Sequence, residues 1–384
     1  MAQQFQFNPV SGPLLKNWIT ASVLIQDTLA AGPGMVANTY ADGTARPTLA
    51  TGVWSDSCVL MQNGNVLIIP RQSSGTEAIW VYNPSTATLT EGPIVTANAY
   101  SGGIQLPDGT VLLIPFVSPT FGIYNPTSGT LTAGVAHGIT LAGGQAFSGA
   151  ALGLDGNVYL MGGTSVTSSF DNFYQYNPVA QTLTVVFTFA AGVLTGSQPF
   201  HGCFTLPSGN ILLSNANSNN LFIWNPVALT MTEGPALAEG DKWSGTLLTD
   251  GRVFLCPTGT NIVRIYDPIL NTVVEITNLD SFTTLVGTTF FCKAVLLQDG
   301  NVALIPRDHT NVLIVNPLTG NVVIGPELTL GTTADKCRTA VTLTSGVVLM
   351  IPGAGGTNLG LFTAYTGGAV YPLALLTSRF FTKF

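Results

Sequence analysis

The chain has 384 residues with 12 Lys and Arg, 19 Asp and Glu and 3 His, so 8% of it is formally charged, against about 25% in ordinary soluble domains. The net charge of −7 argues against nucleic acids and anionic membranes as partners, because both require a dense basic face. Pro, Gly or Asn interrupts every long uncharged stretch, well before the roughly 20 apolar residues that a membrane-spanning helix needs.

Residues 1–53 precede the first repeat of the chain and are interpreted as an N-terminal extension. The first residues have neither a basic segment nor a continuous apolar core, so no secretory signal is expected. The opening phrase Phe5-Gln-Phe-Asn-Pro9 is similar to a strand phrase that recurs further along the chain. The extension therefore either latches a ring of repeats or docks on another subunit, and Phe5 and Phe7 are candidate partner-docking residues.

A hairpin phrase recurs seven times between residues 54 and 375. It consists of an apolar strand, a turn that ends in Gly and a second apolar strand, as in Val59-Leu-Met-Gln-Asn-Gly64-Asn-Val-Leu-Ile-Ile-Pro70. Asn-Gly, Asp-Gly or Ser-Gly between two apolar runs is a strong hairpin signal. The turn glycines lie 42 to 53 residues apart and are Gly64, Gly109, Gly156, Gly209, Gly251, Gly300 and Gly346.

A second phrase follows the hairpin in six units, where it ends in Asn-Pro or Asp-Pro and precedes a Thr-rich strand. Trp80-Val-Tyr-Asn-Pro84 is an example, and Pro ends its strand because it fixes φ and lacks an amide donor. The seventh unit lacks this motif but is expected to own a fourth strand through Ala369-Val-Tyr-Pro372. Four short strands in each of seven units predict an all-β fold, a seven-bladed β-propeller of four-stranded antiparallel blades with an N-terminal extension.

The first strand of each unit carries a small residue six positions before the turn glycine. Seven first strands converge on the central channel of a propeller, so small side chains are expected there. An aromatic residue lies just upstream in most units and is expected to pack between neighbouring blades. The seven small residues are Cys58, Gly103, Ala150, Cys203, Gly245, Ala294 and Ala340.

The strand–Asp-Gly–strand hairpin, followed by Tyr-Asn-Pro and a Thr-rich strand, resembles the repeats of bacterial and viral kelch-type propellers over about residues 54–375. Two features depart from that pattern: only Gly162-Gly163 ends a second strand in Gly-Gly, and the late Trp of the kelch repeat is absent. Kelch-type propellers mostly serve as binding platforms, so the resemblance implies a binding function without selecting a ligand.

Residues 376–384 form an aromatic C-terminal tail. Chain termini fray unless something holds them, so we expect either an extra strand that covers a blade edge or an anchor in a partner chain. Phe380, Phe381 and Phe384 are therefore candidate partner-docking residues.

The sequence predicts no catalytic residue, no metal site and no cofactor. The three His residues fall in different units, neither the His nor the Cys residues have metal-ligand spacing, and nucleophile and dinucleotide motifs are missing. Cys337 lies between Lys336 and Arg338, which would lower the pKa of its thiol if both charges were near. The alternative is that the Cys residues are simply small side chains at crowded positions.

Several charged or titratable residues lie within ten positions before a turn glycine, where they are expected to surround one mouth of the channel. They predict a polar entrance that binds an anionic or sugar group; the alternative is that loops hold the few charges of the chain. The loops between second and third strands, such as 71–77, 215–220 and 307–311, are expected on the opposite face. The channel-mouth candidates are Asp56, His201, Lys242, Lys293 and Arg338.

Together these features predict a non-enzymatic structural or interaction protein that uses a propeller as a protein-binding platform, in a virion as a phage tail or capsid accessory component. The composition, rich in Thr, Asn, Ser and Gly, is typical of an exterior surface, yet no secretion signal is expected. Proteins of a virion fit both features, because lysis releases them from the cell. The expected location is the surface of a virion or extracellular particle, or otherwise the cytoplasm. The expected partners are other protein subunits of an assembly, without nucleic acid or a membrane span.

Two alternative functions stay open. The first is a glycan- or receptor-binding module, for which exposed aromatic residues beside Asn and Asp loops would speak. The second is a propeller enzyme that acts on polysaccharide, which would need two carboxylates about 5–10 Å apart.

Overall fold

The computed structural model describes residues 39–45, 53–72, 75–96, 98–139, 145–163, 171–190, 193, 200–215, 220–237, 243–257, 260–283, 285, 289–330, 335–353, 356, 358–364 and 380–381. These residues form seven antiparallel sheets, each built from four strands of a blade. Helical structure is represented by a 3-10 turn at Leu279–Ser281. In this described part no helix is long and apolar enough to cross a membrane. The fold is the predicted all-β, seven-bladed propeller.

Each blade has an inner, a second, a third and an outer strand. The inner strands of blades 1 to 7 are β2 (Val53–Leu60), β6 (Tyr100–Gln105), β10 (Phe147–Leu152), β14 (Phe200–Thr205), β18 (Trp243–Leu247), β22 (Phe291–Leu296) and β26 (Cys337–Thr342). The second strands are β3 (Val66–Gln72), β7 (Val111–Pro115), β11 (Val158–Gly162), β15 (Ile211–Asn215), β19 (Val253–Pro257), β23 (Val302–Pro306) and β27 (Val348–Pro352).

The remaining strands complete the blades toward the perimeter. The third strands are β4 (Thr76–Asn83), β8 (Thr120–Asn125), β12 (Asn172–Asn177), β16 (Asn220–Asn225), β20 (Ile262–Asp267), β24 (Asn311–Val315) and β28 (Asn358–Thr363). The outer strands of blades 1 to 6 are β5 (Thr88–Thr96), β9 (Thr130–Ala136), β13 (Thr182–Thr188), β17 (Thr230–Ala236), β21 (Thr272–Asn278) and β25 (Val322–Glu327), and that of blade 7 is β1 (Thr39–Ala45).

The inner strands form the hub of a closed ring. Each inner strand contacts the inner strand of the next blade, and β26 of blade 7 contacts β2 of blade 1. The seven small residues expected at the hub all lie in these inner strands and are buried. A Cβ added to Gly103 of blade 2 would lie 3.0 Å from Cδ1 of Ile69 in blade 1, so neighbouring blades approach too closely here for a larger side chain.

The core lies between the blades, because both faces of every inner and second strand are covered. Apolar side chains of adjacent blades interleave in clusters, such as the one that joins Ile305 and Val312 of blade 6 to Met350 and Phe362 of blade 7. Second strands are accordingly near-continuous runs of buried residues, whereas outer strands are half-exposed and rich in Thr. Thr residues in the outer strands thus provide the polar surface that charged residues provide in most soluble proteins.

Two kinds of tight turn recur around one face of the ring, which we call the turn face. The seven hairpin glycines join inner to second strands, and all have positive φ between 82° and 89°. In blades 1 to 6 the Asn or Asp before Pro accepts backbone N–H bonds from the next residues of the turn, as Asn225 does from Val227 and Ala228 at 2.9 Å. These Asx turns are the physical reason for the Asn-Pro repeat.

The N-terminal part of the chain closes the ring. Strand β1 pairs antiparallel with β28 as the outer strand of blade 7, with Thr39 opposite Thr363 and Tyr40 opposite Phe362. The expectation that the seventh unit supplies its own fourth strand through 369–372 is therefore wrong: the outer-strand position belongs to residues 39–45. Blade 7 thus joins a strand from near one terminus to three strands from near the other.

The C-terminal tail contributes a short strand, β29 (Phe380–Phe381). It pairs antiparallel with the edge of β10 that faces away from β11, with Phe381 opposite Ala150 and Phe380 opposite Ala151. The sheet of blade 3 therefore has five strands. The docking candidates Phe5, Phe7 and Phe384 lie outside the described residues.

Candidate functional site at the loop face

The face opposite the turn face carries the connections between blades and the loops between second and third strands; we call it the loop face. The sequence-based expectation that these two sets of loops lie on opposite faces is wrong. In a four-stranded antiparallel blade, the inner strand begins and the second strand ends at the same side of the sheet. The backbone N–H of Lys336, just before β26, accordingly donates to the carbonyl of Arg307, just after β23, at 2.8 Å.

A β-bulge lies at the loop-face end of six inner strands. The register shifts by one residue between Phe200 and Gly202 in β14 and between Cys337 and Thr339 in β26, with equivalent shifts in β2, β6, β10 and β22. A bulge leaves one residue outside the ladder and redirects its side chain. The backbone positions of His201 in blade 4 and Arg338 in blade 7 are such bulge residues, and Asp56 lies in the bulge of blade 1.

Arg338 is part of an ion-pair network at the junction of blades 6 and 7. Its Nε lies 2.6 Å from Oδ1 of Asp335, and its Nη2 donates to Oδ2 of the same carboxylate at 2.9 Å. Arg307 from the β23–β24 loop approaches Asp335 from the neighbouring blade, with Nε 3.5 Å from Oδ1. One carboxylate therefore holds two guanidinium groups from adjacent blades in fixed positions.

Two further charged residues, Lys336 and Asp308, form hydrogen bonds with backbone groups at the same junction. The Nζ of Lys336 is buried and donates to the carbonyl of Leu328 at 2.8 Å. Oδ2 of Asp308 accepts the backbone N–H of Thr289 at 2.9 Å. Because these groups bond to backbone of blade 6, they fix the geometry of the loops around the ion-pair network.

The local charge of this junction is opposite to that of the whole chain. Glu327 lies at the end of the outer strand of blade 6, towards the perimeter. The inner-strand ends and the β23–β24 loop of blades 6 and 7 carry four cations and two carboxylates: Lys293, Arg307, Lys336 and Arg338 against Asp308 and Asp335. This excess of two positive charges stands in a protein of net charge −7, and a local excess of positive charge attracts anions.

His309 lies in the same loop and is 1% exposed. Neither ring nitrogen has a hydrogen-bond partner among the described residues, and the ring packs edge-on against Phe291, with centroids 5.7 Å apart. Burial lowers its pKa, because the low-dielectric surroundings disfavour the charged form. His309 is thus a neutral side chain at neutral pH.

His137 occupies a comparable place beside the aromatic residue of blade 3. Its ring packs edge-on to Phe147 at 5.8 Å, its Nε2 bonds to the carbonyl of Ser118 at 2.8 Å, and its Nδ1 accepts the N–H of Ile139 at 3.0 Å. These bonds require the tautomer with hydrogen on Nε2. Burial lowers the pKa of His137, although the bond to Ser118 opposes the shift.

The cysteine thiols are unreactive by their surroundings. All five are buried, and burial raises the pKa of Cys337, with neighbouring Cys292 adding to the shift. Lys336 and Arg338 do not lower this pKa, and the Sγ of Cys337 lies 3.1 and 3.2 Å from the carbonyl oxygens of Thr339 and Ile351. Cys337 is therefore a small buried side chain and not a nucleophile.

Acidic residues of the turn face have a structural role. In the hairpin turns, a side-chain oxygen of Asp108, Asp155, Asp250 or Asp299 accepts the N–H two residues further on, at 2.9–3.1 Å. Asp250 also pairs with Arg252 at 2.7 Å. These carboxylates stabilise turns. The four Asp residues therefore have a structural role and need no ligand to explain them.

The structure brings together part of the predicted site. Arg338 and Lys293 lie in the inner strands of the adjacent blades 7 and 6, whereas His201 lies in blade 4, two blades from blade 6 and three from blade 7. The side chains of Asp56 and His201, and all of Lys242, lie outside the described residues. Sequence reasoning did not single out Asp335 and placed Arg307 and His309 on the wrong face; correct strand connectivity would have joined them to Arg338.

The described part of the chain contains no group of three or more His, Cys, Asp or Glu residues that could hold a metal ion. At the junction of blades 6 and 7, Asp335 contacts guanidinium groups and Asp308 accepts a backbone N–H. The arrangement is suited to holding an anion against the guanidinium groups of Arg307 and Arg338.

No protein-family model and no curated protein matches the chain. Among solved structures, a catalytically inactive virginiamycin B lyase from Staphylococcus aureus with quinupristin is similar, with a TM-score of 0.66 and 10% identity over 85% of this chain and 100% of that chain. A streptogramin B lyase has a TM-score of 0.65 and 10% identity over 85% and 97% of the two chains.

A third similar structure is a fungal alcohol oxidase of the AA5 family in complex with copper. Its TM-score is 0.64, with 15% identity over 85% of this chain and 76% of that chain. At these identities the similarity shows the propeller fold alone.

Proposed function

We propose that this propeller is a non-enzymatic binding protein of a larger assembly such as a virion, and that the loop face of blades 6 and 7 binds an acidic group of a partner protein. The observation that carries the proposal is the fixed excess of cations at this junction. A carboxylate or phosphate of a partner is attracted to guanidinium groups that present several donors in one plane.

Preorganisation supports this proposal. Asp335 holds Arg338 through two contacts and Arg307 through one, so neither guanidinium has to be ordered when a ligand arrives, which reduces the entropic cost of binding. The Arg307 side chain is 24% exposed and touches Asp335 only at 3.5 Å. A guanidinium has five N–H donors, more than this contact uses.

The same contacts support a binding role over an acid–base role. A catalytic carboxylate or imidazole needs a pKa near the working pH and access to substrate. The Asp335 side chain is buried and contacts two guanidinium groups, and the ring of His309 is almost fully buried, so neither group is open to a substrate.

Binding can be tested with a fluorescein-labelled oligoglutamate peptide in a fluorescence anisotropy titration at low salt. Arg307→Ala is the test variant and Arg252→Ala the matched control, because their side chains are 24% and 23% exposed on opposite faces. The proposal predicts that Arg307→Ala raises the Kd about fivefold, the effect of one exposed charge pair, while Arg252→Ala leaves the Kd unchanged. Equal effects of both variants, or no binding by the wild-type protein, would contradict it.

Two further assays address the alternatives. Binding on a glycan array without peptide binding would favour the glycan- or receptor-binding module. Incubation with quinupristin, followed by mass spectrometry of the intact compound, tests the lyase activity that the names of the similar structures suggest. Its conversion would contradict a non-enzymatic role, and recovery of the compound unchanged is expected.

A further inference from the structure

The turn face carries a row of exposed apolar side chains that the fold itself does not require. They lie in the Asx turns between the third and outer strands of four consecutive blades, 3 to 6, and we call them the apolar rim. The rim consists of Val179, Val227, Leu229, Ile269, Leu270 and Leu318, with exposed fractions of 94%, 93%, 65%, 89%, 69% and 63%.

Blades 1 and 2 show that these turns form without apolar side chains. At the position of Val179 and Val227 they carry Ser85 and Thr127, whose N–H groups make the same bonds to Asn83 and Asn125 at 2.9 Å. In blades 3 and 4 the corresponding donors are the N–H groups of Val179 and Val227. Only the backbone takes part in the turn, so the choice of Val, Ile and Leu needs another explanation.

Leu229 lies at a position of this turn whose backbone conformation is costly. It has φ of 54°, at a position where blades 2 and 6 place Gly129 and Gly320. A left-handed conformation costs an L-residue about 1–2 kcal/mol relative to the ordinary one. Ala87, Gln181 and Asn271 adopt the same conformation at this position in blades 1, 3 and 5, so the turn itself imposes the strain. What the turn does not require is an exposed leucine side chain.

The rim continues onto the outer strands. Val185 in β13, Val274 in β21, and Val323 and Ile324 in β25 are between 48% and 54% exposed. Scattered exposed apolar residues are common on proteins, but here the same turn position is apolar in four neighbouring blades. The outer strands of three of these blades, β13, β21 and β25, also expose apolar side chains, so the exposed positions follow one another round the ring as a band. Such bands mark interaction surfaces.

The chain itself enters the structure at one end of this band. In blade 7 the third strand ends at Thr363 opposite Thr39, the place where the other six blades have their Asx turn. Strand β1 also contacts β25, the outer strand of blade 6. Residues 1–38 therefore join the propeller on the turn face, beside the last blade of the apolar rim.

We propose that residues 1–38 bind across the apolar rim of blades 3 to 6 of their own propeller. This segment contains 19 apolar residues (Ala, Val, Ile, Leu, Met, Phe or Trp) and only two charged ones, Lys16 and Asp27, so its composition matches a rim without charged tips. Packed sheets are about 10 Å apart and diverge outwards, and 38 extended residues reach roughly 125 Å, so the segment is long enough for four blade edges. The proposal does not depend on ligand binding at the loop face.

Hydroxyl-radical footprinting with mass spectrometry tests the proposal on the full chain and on a variant that begins at Thr39 and keeps β1. We expect labelling of Val227 and Ile269 to increase at least threefold when residues 1–38 are removed. Ile94 is the internal control, because it is 66% exposed but lies in blade 1, away from the rim. Equal labelling of the rim in both proteins would overturn the proposal. It would also be overturned if dilution dissociated a dimer and at the same time removed the protection of the rim, because a second copy of the chain would then be the occupant.

A surface variant gives an independent readout. Lys16 is the only trypsin site in residues 1–38, so the rate of cleavage there in the full chain reports release of the segment. Ile269→Asp is expected to accelerate this cleavage about tenfold, since it places a charge where an apolar side chain is covered. Ile94→Asp is the matched control and should leave the rate unchanged, and equal rates in the two variants would overturn the proposal.

Discussion

Crowding at the hub predicts that a single methyl group there destabilises the propeller. Gly245 lies in the inner strand of blade 5, and a Cβ at this position would overlap the carbonyl oxygen of Phe254 and approach Cζ of Phe204 in blade 4 to 3.3 Å. The carbonyl belongs to the β-ladder and cannot rotate away as a side chain would. Overpacking of a core costs about 1–3 kcal/mol, and replacement of Gly by Ala returns about 0.5–1 kcal/mol through the unfolded chain.

Gly245→Ala should therefore lower the free energy of unfolding by about 2 kcal/mol, or the Tm by roughly 3 °C for a cooperative unit of this size. Differential scanning calorimetry measures this shift. The matched control is Gly134→Ala in the outer strand of blade 2, where the nearest atoms of Phe121 are 3.4 Å from the added Cβ and fit without movement. A Tm of the Gly245→Ala protein equal to or above that of the wild type would refute the crowded hub.

Two further predictions concern the turns and the buried histidines. In the variant that begins at Thr39 and so leaves the rim uncovered, Leu229→Gly should raise the free energy of unfolding by about 0.5–1 kcal/mol, because Gly adopts the left-handed conformation without strain. Urea unfolding measures this, and a Gly variant no more stable than Leu229→Ala in the same background would contradict it. The pKa values of His137 and His309 are lowered in the fold, so their contribution to stability is present above the unfolded value of about 6.5 and is lost as the pH falls through the folded-state values. His309→Phe should accordingly flatten the decrease of the Tm between pH 7 and pH 5, and a slope as steep as that of the wild type would argue against a buried neutral imidazole.

The architecture could be predicted from the sequence because its signals are local and repeated. A hairpin such as that at Gly64 and an Asx turn such as that at Asn83 each depend on a few adjacent residues, since backbone conformation and side-chain acceptors specify them directly. Seven copies at a near-constant period then indicate the ring. The small residues at Ala150 and Ala340 were predictable for the same reason, because convergence of strands at a hub restricts side-chain volume.

The closure of the ring could not be derived in this way. Strand β1 contains Thr39-Tyr-Ala-Asp-Gly-Thr-Ala45, which lacks the apolar alternation of the other strands and pairs with a segment more than 300 residues away. Only the unfilled edge of β28 makes it a strand, so tertiary context overrides its weak local preference.

The candidate site was predictable only in part. The bulge position of Arg338 follows from the repeat, but its ion pair with Asp335 and the approach of Arg307 depend on which loops share a face. The misassigned face of the 307–311 loop separated these residues in the sequence-based prediction. Counting strand direction through one antiparallel blade is enough to correct that error.

A cross-link between β1 and β28 tests the seven-bladed ring and its closure most directly. Thr39 and Thr363 are opposite each other, and opposed residues of antiparallel strands have Cα atoms about 4.5–5.5 Å apart, within the range of a disulfide. Thr39→Cys combined with Thr363→Cys should form an intramolecular disulfide on mild oxidation, visible as a mobility shift on a non-reducing gel, whereas Thr39→Cys with Thr272→Cys in blade 5 should not. No cross-link in the first pair, or cross-linking only between two chains, would contradict a ring closed within one chain.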